Sequence, residues 1–198
     1  MRKYILLRSI GIACLVWGLL AILHAAFVLH KYHDFFWLCY IGLFLIGIGL
    51  LIKNDMLVQS QLLILFIPDV LWTVDLVTYA LRGYSFLGIS DYFYSSPLIT
   101  QLVSLQHVAI VPFALIILTK QSALKKWIFS FAIGEIIIAF IFSRFLTPLK
   151  DNVNCVYQFC GNILFPEPYF IWWFILTLAY ISLAYVCFTF LFKKKQLI

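Results

Sequence analysis

The chain alternates long apolar runs with short polar segments. Six runs are apolar almost throughout, and they lie at about 9–29, 35–52, 56–80, 98–119, 127–147 and 168–192. An α-helix rises about 1.5 Å per residue, so about 20 such residues cross a hydrocarbon layer about 30 Å thick. The pattern therefore predicts six transmembrane helices in a single domain over residues 1–198.

The composition supports an all-α membrane protein. Hydrophobic residues make up 65% of the chain and charged residues 11%, whereas soluble domains are about 45–50% apolar and about 25% charged. We therefore predict a polytopic helical bundle whose partners are membrane lipids. The net charge of +6 comes from basic residues near the ends of the apolar runs, and a nucleic-acid partner is excluded because no soluble basic face exists.

The distribution of basic residues predicts the orientation. Six spans place both termini on one side, with ten of the 14 lysines and arginines on that side. The positive-inside rule then favours a multi-pass protein of the plasma membrane with both termini cytoplasmic. The outer loops are expected at 30–34, 81–97 and 148–167. Because loops carry function more often than spans do, we expect a site near these loops.

Five ionisable residues fall inside the predicted spans, namely His24, Asp69, Asp75, His107 and Glu135. A charge at the centre of a bilayer costs at least about 2.5–3.5 kcal/mol, so such residues are paired, neutral or functional. All except Glu135 lie in the outer halves of their spans. They are the first candidates for a site.

The third span carries two of these carboxylates. Asp69, Trp72 and Thr73 share one helix face at spacings of three and four residues. Asp75 is rotated from Asp69 by about 240°, so the two cannot easily share one site. We expect one carboxylate to meet a histidine and the other to cap a loop or a basic side chain. Two structural hydrogen-bonding residues between helices are the alternative.

His107 and Cys39 are the candidates for acid–base and nucleophilic chemistry. A histidine near the bilayer midplane with carboxylates at matching depth can act as a general base, or merely donate to a neighbouring carbonyl. Cys39 lies near the outer end of the second span, where it is either a thiol nucleophile or a small packing residue. We predict His107 as general base or acid, Cys39 as nucleophile, and Asp69 or Asp75 as the group that orients the imidazole.

Residues predicted to contact a substrate lie around this group. His24, Trp72 and Thr73 are expected to line an outward-opening pocket, although Trp72 is also typical of an interfacial anchor. Asn152 and Asn154, in the third outer loop, are expected to bind a polar head group. Asparagines beside proline also build turns, which is the structural alternative.

Two cysteines share the third outer loop. Cys155 and Cys160 favour a small disulfide loop if the compartment is oxidising, and a zinc half-site is the alternative. Cys14, Cys39 and Cys187 lie within spans. We predict no cofactor and no bound metal.

Five segments carry a resemblance to known proteins. They are FWLC at 36–39, PDVLWTVD at 68–75, GISDYF at 88–93, VSLQHVAIVP at 103–112 and TPLKDNVNCV at 147–156. In this order they resemble an uncharacterised family of six-span membrane proteins of bacteria and archaea. The resemblance implies the six-span fold and brings no established activity.

Two shorter motifs resemble the androgen-induced and androgen-dependent integral-membrane lipid hydrolases. That family pairs a threonine early in its second span with a histidine in a span-four motif similar to HVAIVPFALI. The resemblance places the histidine at His107 and the threonine position at Cys39. A cysteine there is similar to related membrane acyltransferases that use Cys with His. The resemblance implies either a thiol that favours acyl transfer over simple hydrolysis or an inert side chain at this position.

These patterns predict a membrane-embedded lipid hydrolase or acyltransferase that acts on a lipid-like or amphipathic acyl compound. The main alternative is a small transport or binding protein in which the aspartates and histidines conduct protons or hold a metal. A metal-dependent enzyme and an interaction protein without chemistry are further alternatives. The oligomeric state is not predicted.

Overall fold

A computed structural model describes residues 2–121 and 123–196. These residues form helices joined by turns and loops, and they contain no strand. The helices are α1 (Arg2–Leu23), α2 (Leu38–Leu51), α3 (Asp55–Arg82), α4 (Tyr92–Ser95), α5 (Leu98–Ser104), α6 (Gln106–Lys120), α7 (Ile128–Leu146) and α8 (Tyr169–Gln196). A π-helical turn, His24–Val28, continues α1, and 3₁₀ turns form Tyr32–Phe36, Leu149–Asp151 and Val153–Cys155.

Five helical segments in the described part are long and apolar enough to cross a membrane. They are Lys3–Val28, Asp55–Arg82, Leu98–Lys120, Ile128–Leu146 and Tyr169–Phe192. Each matches a predicted run, which confirms these five as helices of spanning length. The predicted second span forms α2, which has 14 residues and is therefore about 21 Å long.

Helix α3 is the centre of the bundle, because it contacts α2, α6, α7 and α8. Helix α1 packs along α2 on the side away from this centre. Their backbones approach closely where glycine removes the side chain. A Cβ added at Gly47 would lie 2.5 Å from the backbone nitrogen of Leu15, and one at Gly18 would lie 2.7 Å from that of Phe44. Small residues at a contact are typical of helices packed in membranes.

Local residue chemistry fixes the ends of α3. The Asn54 side chain accepts a hydrogen bond of 3.1 Å from the backbone N–H of Leu57 at the start of the helix. Gly83 follows the last residue with a φ of 75°, and its N–H donates to the carbonyl of Tyr79. A left-handed glycine is a common helix terminator. Helix α3 therefore begins and ends at defined residues. It contains Pro68 within its length.

Two long connections, 83–97 and 147–168, pack together at one end of the bundle, here called the loop end. The Asn162 N–H donates to the carbonyl of Leu87 at 2.8 Å, and the Asn162 side chain occupies the space beside Gly88, whose φ is 76°. A disulfide joins Cys155 and Cys160. The disulfide alternative, rather than the zinc half-site, is the one the structure shows.

Candidate functional site

Asp69 and His107 form a buried pair between α3 and α6. The Nδ1–H of His107 donates to Oδ1 of Asp69 at 2.6 Å. The side chains are 15% and 4% exposed respectively. The expectation that one carboxylate of the third span meets a histidine is confirmed. With Nδ1 carrying the proton, Nε2 of a neutral imidazole keeps a lone pair that can accept a proton.

The Cys39 thiol also interacts with this imidazole. Cys39 lies in the first turn of α2, and its thiol lies near enough to the imidazole of His107 to interact with it electrostatically. The thiol, the imidazole and the Asp69 carboxylate therefore follow the order of nucleophile, base and orienting group that activated nucleophiles share. Three separate helices contribute the three side chains. Cys39, Asp69 and His107 are called the Cys39 site below.

Trp72 covers one face of His107. The two rings lie 4.8 Å apart between centroids and are inclined by 33°. Trp72 is buried, and its Nε1–H has no hydrogen-bond partner among the described residues. Such an unpartnered donor costs about 1–3 kcal/mol when buried. It lies on the side chain that contacts the imidazole, so it is available to a ligand there.

An aromatic roof, formed by Tyr92 and Phe93 of α4, closes the site toward the loop end. Their rings lie 6.4 and 5.8 Å from that of Trp72, and the Tyr92 hydroxyl donates to the Ser104 hydroxyl at 3.2 Å. The sequence analysis assigned these residues no role. The signal present in the sequence was a pair of aromatic residues within the polar segment GISDYF.

Two cavities of the described bundle lie away from the Cys39 site. One of about 290 Å³ lies between α2 and α7, and another of about 390 Å³ lies at α8. Residues of the Cys39 site line neither of them. The Cys39 side chain itself is half-buried.

Asp75 has a different role from the orienting role that was considered for it. Its Oδ1 accepts from the Leu87 N–H at 2.6 Å, and its Oδ2 accepts from the N–H and hydroxyl of Ser90 at 3.0 and 2.9 Å. The helical rotation between the two aspartates turns Asp75 toward the loop 83–97 and away from His107. It caps a loop, as one of the two aspartates was expected to do.

Thr73 and His24 also differ from their predicted role in lining a substrate pocket. The Thr73 hydroxyl donates to the carbonyl of Asp69 at 2.7 Å and contacts that of His107 at 3.3 Å. This hydroxyl bridges two backbones because a threonine in a helix readily bonds to the carbonyl four residues earlier. His24 is buried, and its Nε2 lies 3.4 Å from the Thr100 hydroxyl.

Asn152 and Asn154 form hydrogen bonds within the protein, as turn-building asparagines do. Asn152 accepts from the backbone N–H groups of Tyr157 and Gln158 and donates to the Gln158 carbonyl. Asn154 accepts from the Leu38 N–H at 2.8 Å and donates to the Phe36 carbonyl at 2.9 Å. Both asparagines have a positive φ, which this residue type tolerates. Asn154 thereby fixes the start of α2 beside Cys39.

Glu135 pairs with a residue that the sequence analysis did not single out. The Gln61 amide donates to its Oε1 at 2.5 Å. Gln61 and Asp69 lie eight residues apart on α3, about 12 Å along the helix, and no hydrogen bond among the described residues connects the two pairs. The described structure therefore shows no polar path from Glu135 to His107.

A metal site does not emerge from these clusters. Within residues 2–121 and 123–196, no three His, Cys, Asp or Glu side chains are grouped to hold a metal ion.

Comparisons with known proteins add no assignment. The sequence matches no known protein family, and neither a curated protein nor a solved structure shows significant similarity to the chain.

Proposed function

We propose that the protein is a membrane-embedded acyltransferase or lipid hydrolase that uses the Cys39 thiol, with a lipid or another amphipathic acyl compound as substrate. The observation that carries the proposal is the buried hydrogen bond between His107 and Asp69, with the Cys39 thiol near enough to interact electrostatically with the same imidazole. A thiol, an imidazole and a carboxylate from three helices meet in this order, which is the order that nucleophilic catalysis requires.

The reaction begins with proton transfer from the Cys39 thiol to Nε2 of His107. The sulfur then attacks the acyl carbonyl carbon, and the former carbonyl oxygen becomes an oxyanion. His107 returns the proton to the leaving alcohol as the C–O bond breaks, which leaves an acyl thioester on Cys39. An acceptor alcohol or amine, or water, then attacks this thioester while His107 takes its proton, and His107 passes that proton to the sulfur as the C–S bond breaks, which regenerates the thiol.

Trp72 supplies a donor for the oxyanion in this proposal. Its Nε1–H has no partner in the part of the chain that the structure describes, and donors aimed at developing charge in a water-poor site stabilise the transition state strongly. The position of Cys39 in the first turn of α2 favours negative charge on sulfur in the same way, because the helix dipole is positive there.

The aromatic roof favours transfer over hydrolysis. Trp72, Tyr92 and Phe93 fill the space above His107, so water reaches the thioester less readily than an apolar acyl acceptor that displaces the roof. We therefore infer acyl transfer as the main reaction, with hydrolysis of the same thioester as the side reaction.

The proposed topology has six spans, with α2 as the second and both termini cytoplasmic. Non-helical backbone is tolerated at membrane depth only where its polar groups are bonded. The Asn154 side chain bonds the Phe36 carbonyl and the Leu38 N–H, which supports a short second span that begins at Leu38. The Cys39 site then lies near the outer face of the plasma membrane.

Purified protein in lipid nanodiscs tests the chemistry. We would supply phospholipids, acylglycerols and acyl thioesters with a labelled acyl chain, and follow both product release and label bound to protein. Wild-type protein is expected to carry a hydroxylamine-sensitive label on Cys39. Cys39→Ala and His107→Ala are expected to lose both signals.

Cys187→Ala is the matched control, because Cys187 is a half-buried free thiol on α8. It is expected to keep label and turnover. Full turnover in both Cys39→Ala and His107→Ala would exclude the proposed mechanism.

A further inference from the structure

A second polar pair lies away from the Cys39 site, between α3 and α7. Glu135 accepts one hydrogen bond from Gln61 on Oε1, while its Oε2 is buried and has no partner among the described residues. None of the ion pairs found in the described residues includes Glu135. The Ser60 hydroxyl also lies near this carboxyl group, but no cation among the described residues compensates its burial.

The cavity of about 290 Å³ between α2 and α7 leads to this carboxyl group. Helix α2 contributes the stripe Leu38, Ile41 and Leu45, and α7 contributes Ile138 and Ala139. Gln61 and Glu135 are the only polar residues among its described lining. The space is therefore an apolar channel with one acidic position.

Phe36 closes the cavity at the loop end. Its ring stacks on that of Phe142 at 5.8 Å between centroids, and its carbonyl is held by Asn154. The cavity opens sideways, since the lining residue Ile138 is 56% exposed on the outside of the bundle. A ligand can therefore enter from the hydrocarbon layer without unfolding any helix.

Size and charge define the ligand. Small-molecule sites usually have volumes of about 300–1,000 Å³, so a cavity of about 290 Å³ is suited to one acyl or alkyl chain and not to a two-chain lipid. Oε2 of Glu135 needs a hydrogen-bond donor, which the ligand supplies. A positively charged donor also compensates the burial of the carboxylate, whereas a neutral hydroxyl does not.

We propose that this cavity binds a single-chain amphiphile with a primary ammonium head group, a long-chain amine. The ammonium group donates to Oε2 of Glu135, and the chain lies between α2 and α7 with its end toward Phe36. Glu135 is about 10 Å from the start of α7 along the helix. The ligand is therefore oriented like an amphiphile of the leaflet at that end of the bundle. Its head group lies deeper than usual in the membrane, at Glu135.

This site is independent of the proposed acyl transfer. Leu38, Ile41 and Leu45 lie on one face of α2, and Cys39 is rotated from that face by about 100°. Loss of the Cys39 thiol is therefore expected to leave amine binding unchanged.

Saturable binding of tritiated hexadecylamine tests the proposal. Tagged protein in nanodiscs of zwitterionic lipid is captured on scintillation beads, and empty nanodiscs give the background. Unlabelled hexadecylamine is expected to displace the label at least tenfold better than hexadecanol, and better still than hexadecanoic acid.

Two variants separate the head-group contact from the chain contact. Glu135→Gln keeps the size of the side chain and is expected to weaken amine binding at least tenfold and abolish the preference over hexadecanol. Ala139→Trp fills the cavity and is expected to remove saturable binding of the amine while Glu135 is retained.

Gly134→Ala is the matched control on α7, because a Cβ added at Gly134 meets no atom within 4 Å. This variant and Cys39→Ala are expected to bind the amine as the wild-type protein does. Equal competition by amine and alcohol, no saturable binding in the wild-type protein, or unchanged amine binding in Glu135→Gln would overturn the proposal.

Discussion

Asp69 and Asp75 are two buried carboxylates on one helix with opposite surroundings. They are 3% and 1% exposed, so burial does not distinguish them. Asp69 accepts one bond from an imidazole on another helix, whereas Asp75 accepts three bonds from the loop 83–97. The hydrogen-bond partner, and not the degree of burial, distinguishes Asp69, the candidate for chemistry, from Asp75, the structural residue.

The different hydrogen-bond partners of Asp69 and Asp75 determine what each carboxylate can do chemically. The backbone N–H groups around Asp75 cannot take up or release protons, so this carboxylate only holds the loop. In the proposed mechanism, the imidazole beside Asp69 exchanges a proton with a third group, the Cys39 thiol. The proposal therefore assigns catalysis to the surroundings of Asp69 and not to those of Asp75.

The largest expected effect is on activity. Asp69→Asn replaces the carboxylate by an amide whose NH₂ group can donate to Nδ1 of His107 as readily as its oxygen can accept, so the tautomer with a free Nε2 is no longer favoured. We expect acyl turnover to fall by about 10²–10⁴-fold, the range for a positioned general base. Asp75→Asn is expected to keep at least a third of wild-type turnover in the same assay.

The second expected effect is on stability. Asp75→Ala leaves the N–H groups of Leu87 and Ser90 without their acceptor, and each unpaired buried donor costs about 1–3 kcal/mol. Unfolding titrations in mixed micelles are expected to show a loss of about 3 kcal/mol. Asp69→Ala, measured in parallel, is expected to lose less, since it removes one hydrogen bond. Equal losses would contradict the comparison.

A smaller effect is expected at the indole beside Asp69 and His107. Trp72→Phe keeps an aromatic ring but removes the Nε1–H donor, for which residues 2–121 and 123–196 supply no partner. Stability is therefore expected to stay the same or rise slightly, while kcat falls about tenfold or more, as it does when an oxyanion donor is lost. A lower stability with unchanged kcat would show that this N–H serves the fold.

The smallest effect concerns a third carboxylate, outside the spans. Burial raises the pKa of Asp34, although Lys31 nearby acts in the opposite direction. The folded protein then holds this proton more tightly than the unfolded chain, so stability falls as the pH rises from the ordinary carboxyl value through the raised one.

Asp34→Asn is therefore expected to be slightly more stable than the wild-type protein at neutral pH. The difference should disappear when the pH falls below the ordinary carboxyl value. Unfolding midpoints measured across the acid range check the sign, and a wild-type protein that is the more stable of the two at neutral pH would refute it.

The sequence predicted the helices well because apolar runs of spanning length allow few other structures. Helical rotation alone also separated Asp69 from Asp75. The identity of their partners could not be predicted, because the contacts of α3 with α2 and α6 depend on packing between distant segments. The hydrogen bond of His107 to Asp69, with the Cys39 thiol nearby, became visible only in three dimensions.

Asn152 and Asn154 show where sequence reasoning fails. An asparagine in a loop can bond to a ligand or to its own backbone, and the residue type is the same in both cases. The positive φ of both residues and the anchoring of α2 by Asn154 depend on the folded loop. Gln61 was overlooked for a related reason, since it carries no charge that marks it within a span.

The reactivity of the Cys39 thiol tests the central claim most directly. Protein in nanodiscs is alkylated with iodoacetamide, and the rates at Cys39 and Cys187 are measured by peptide mass spectrometry. The account predicts that His107→Gln and Asp69→Asn each slow alkylation of Cys39 at least tenfold and leave Cys187 unchanged. Alkylation of Cys39 at the wild-type rate in both variants would contradict it.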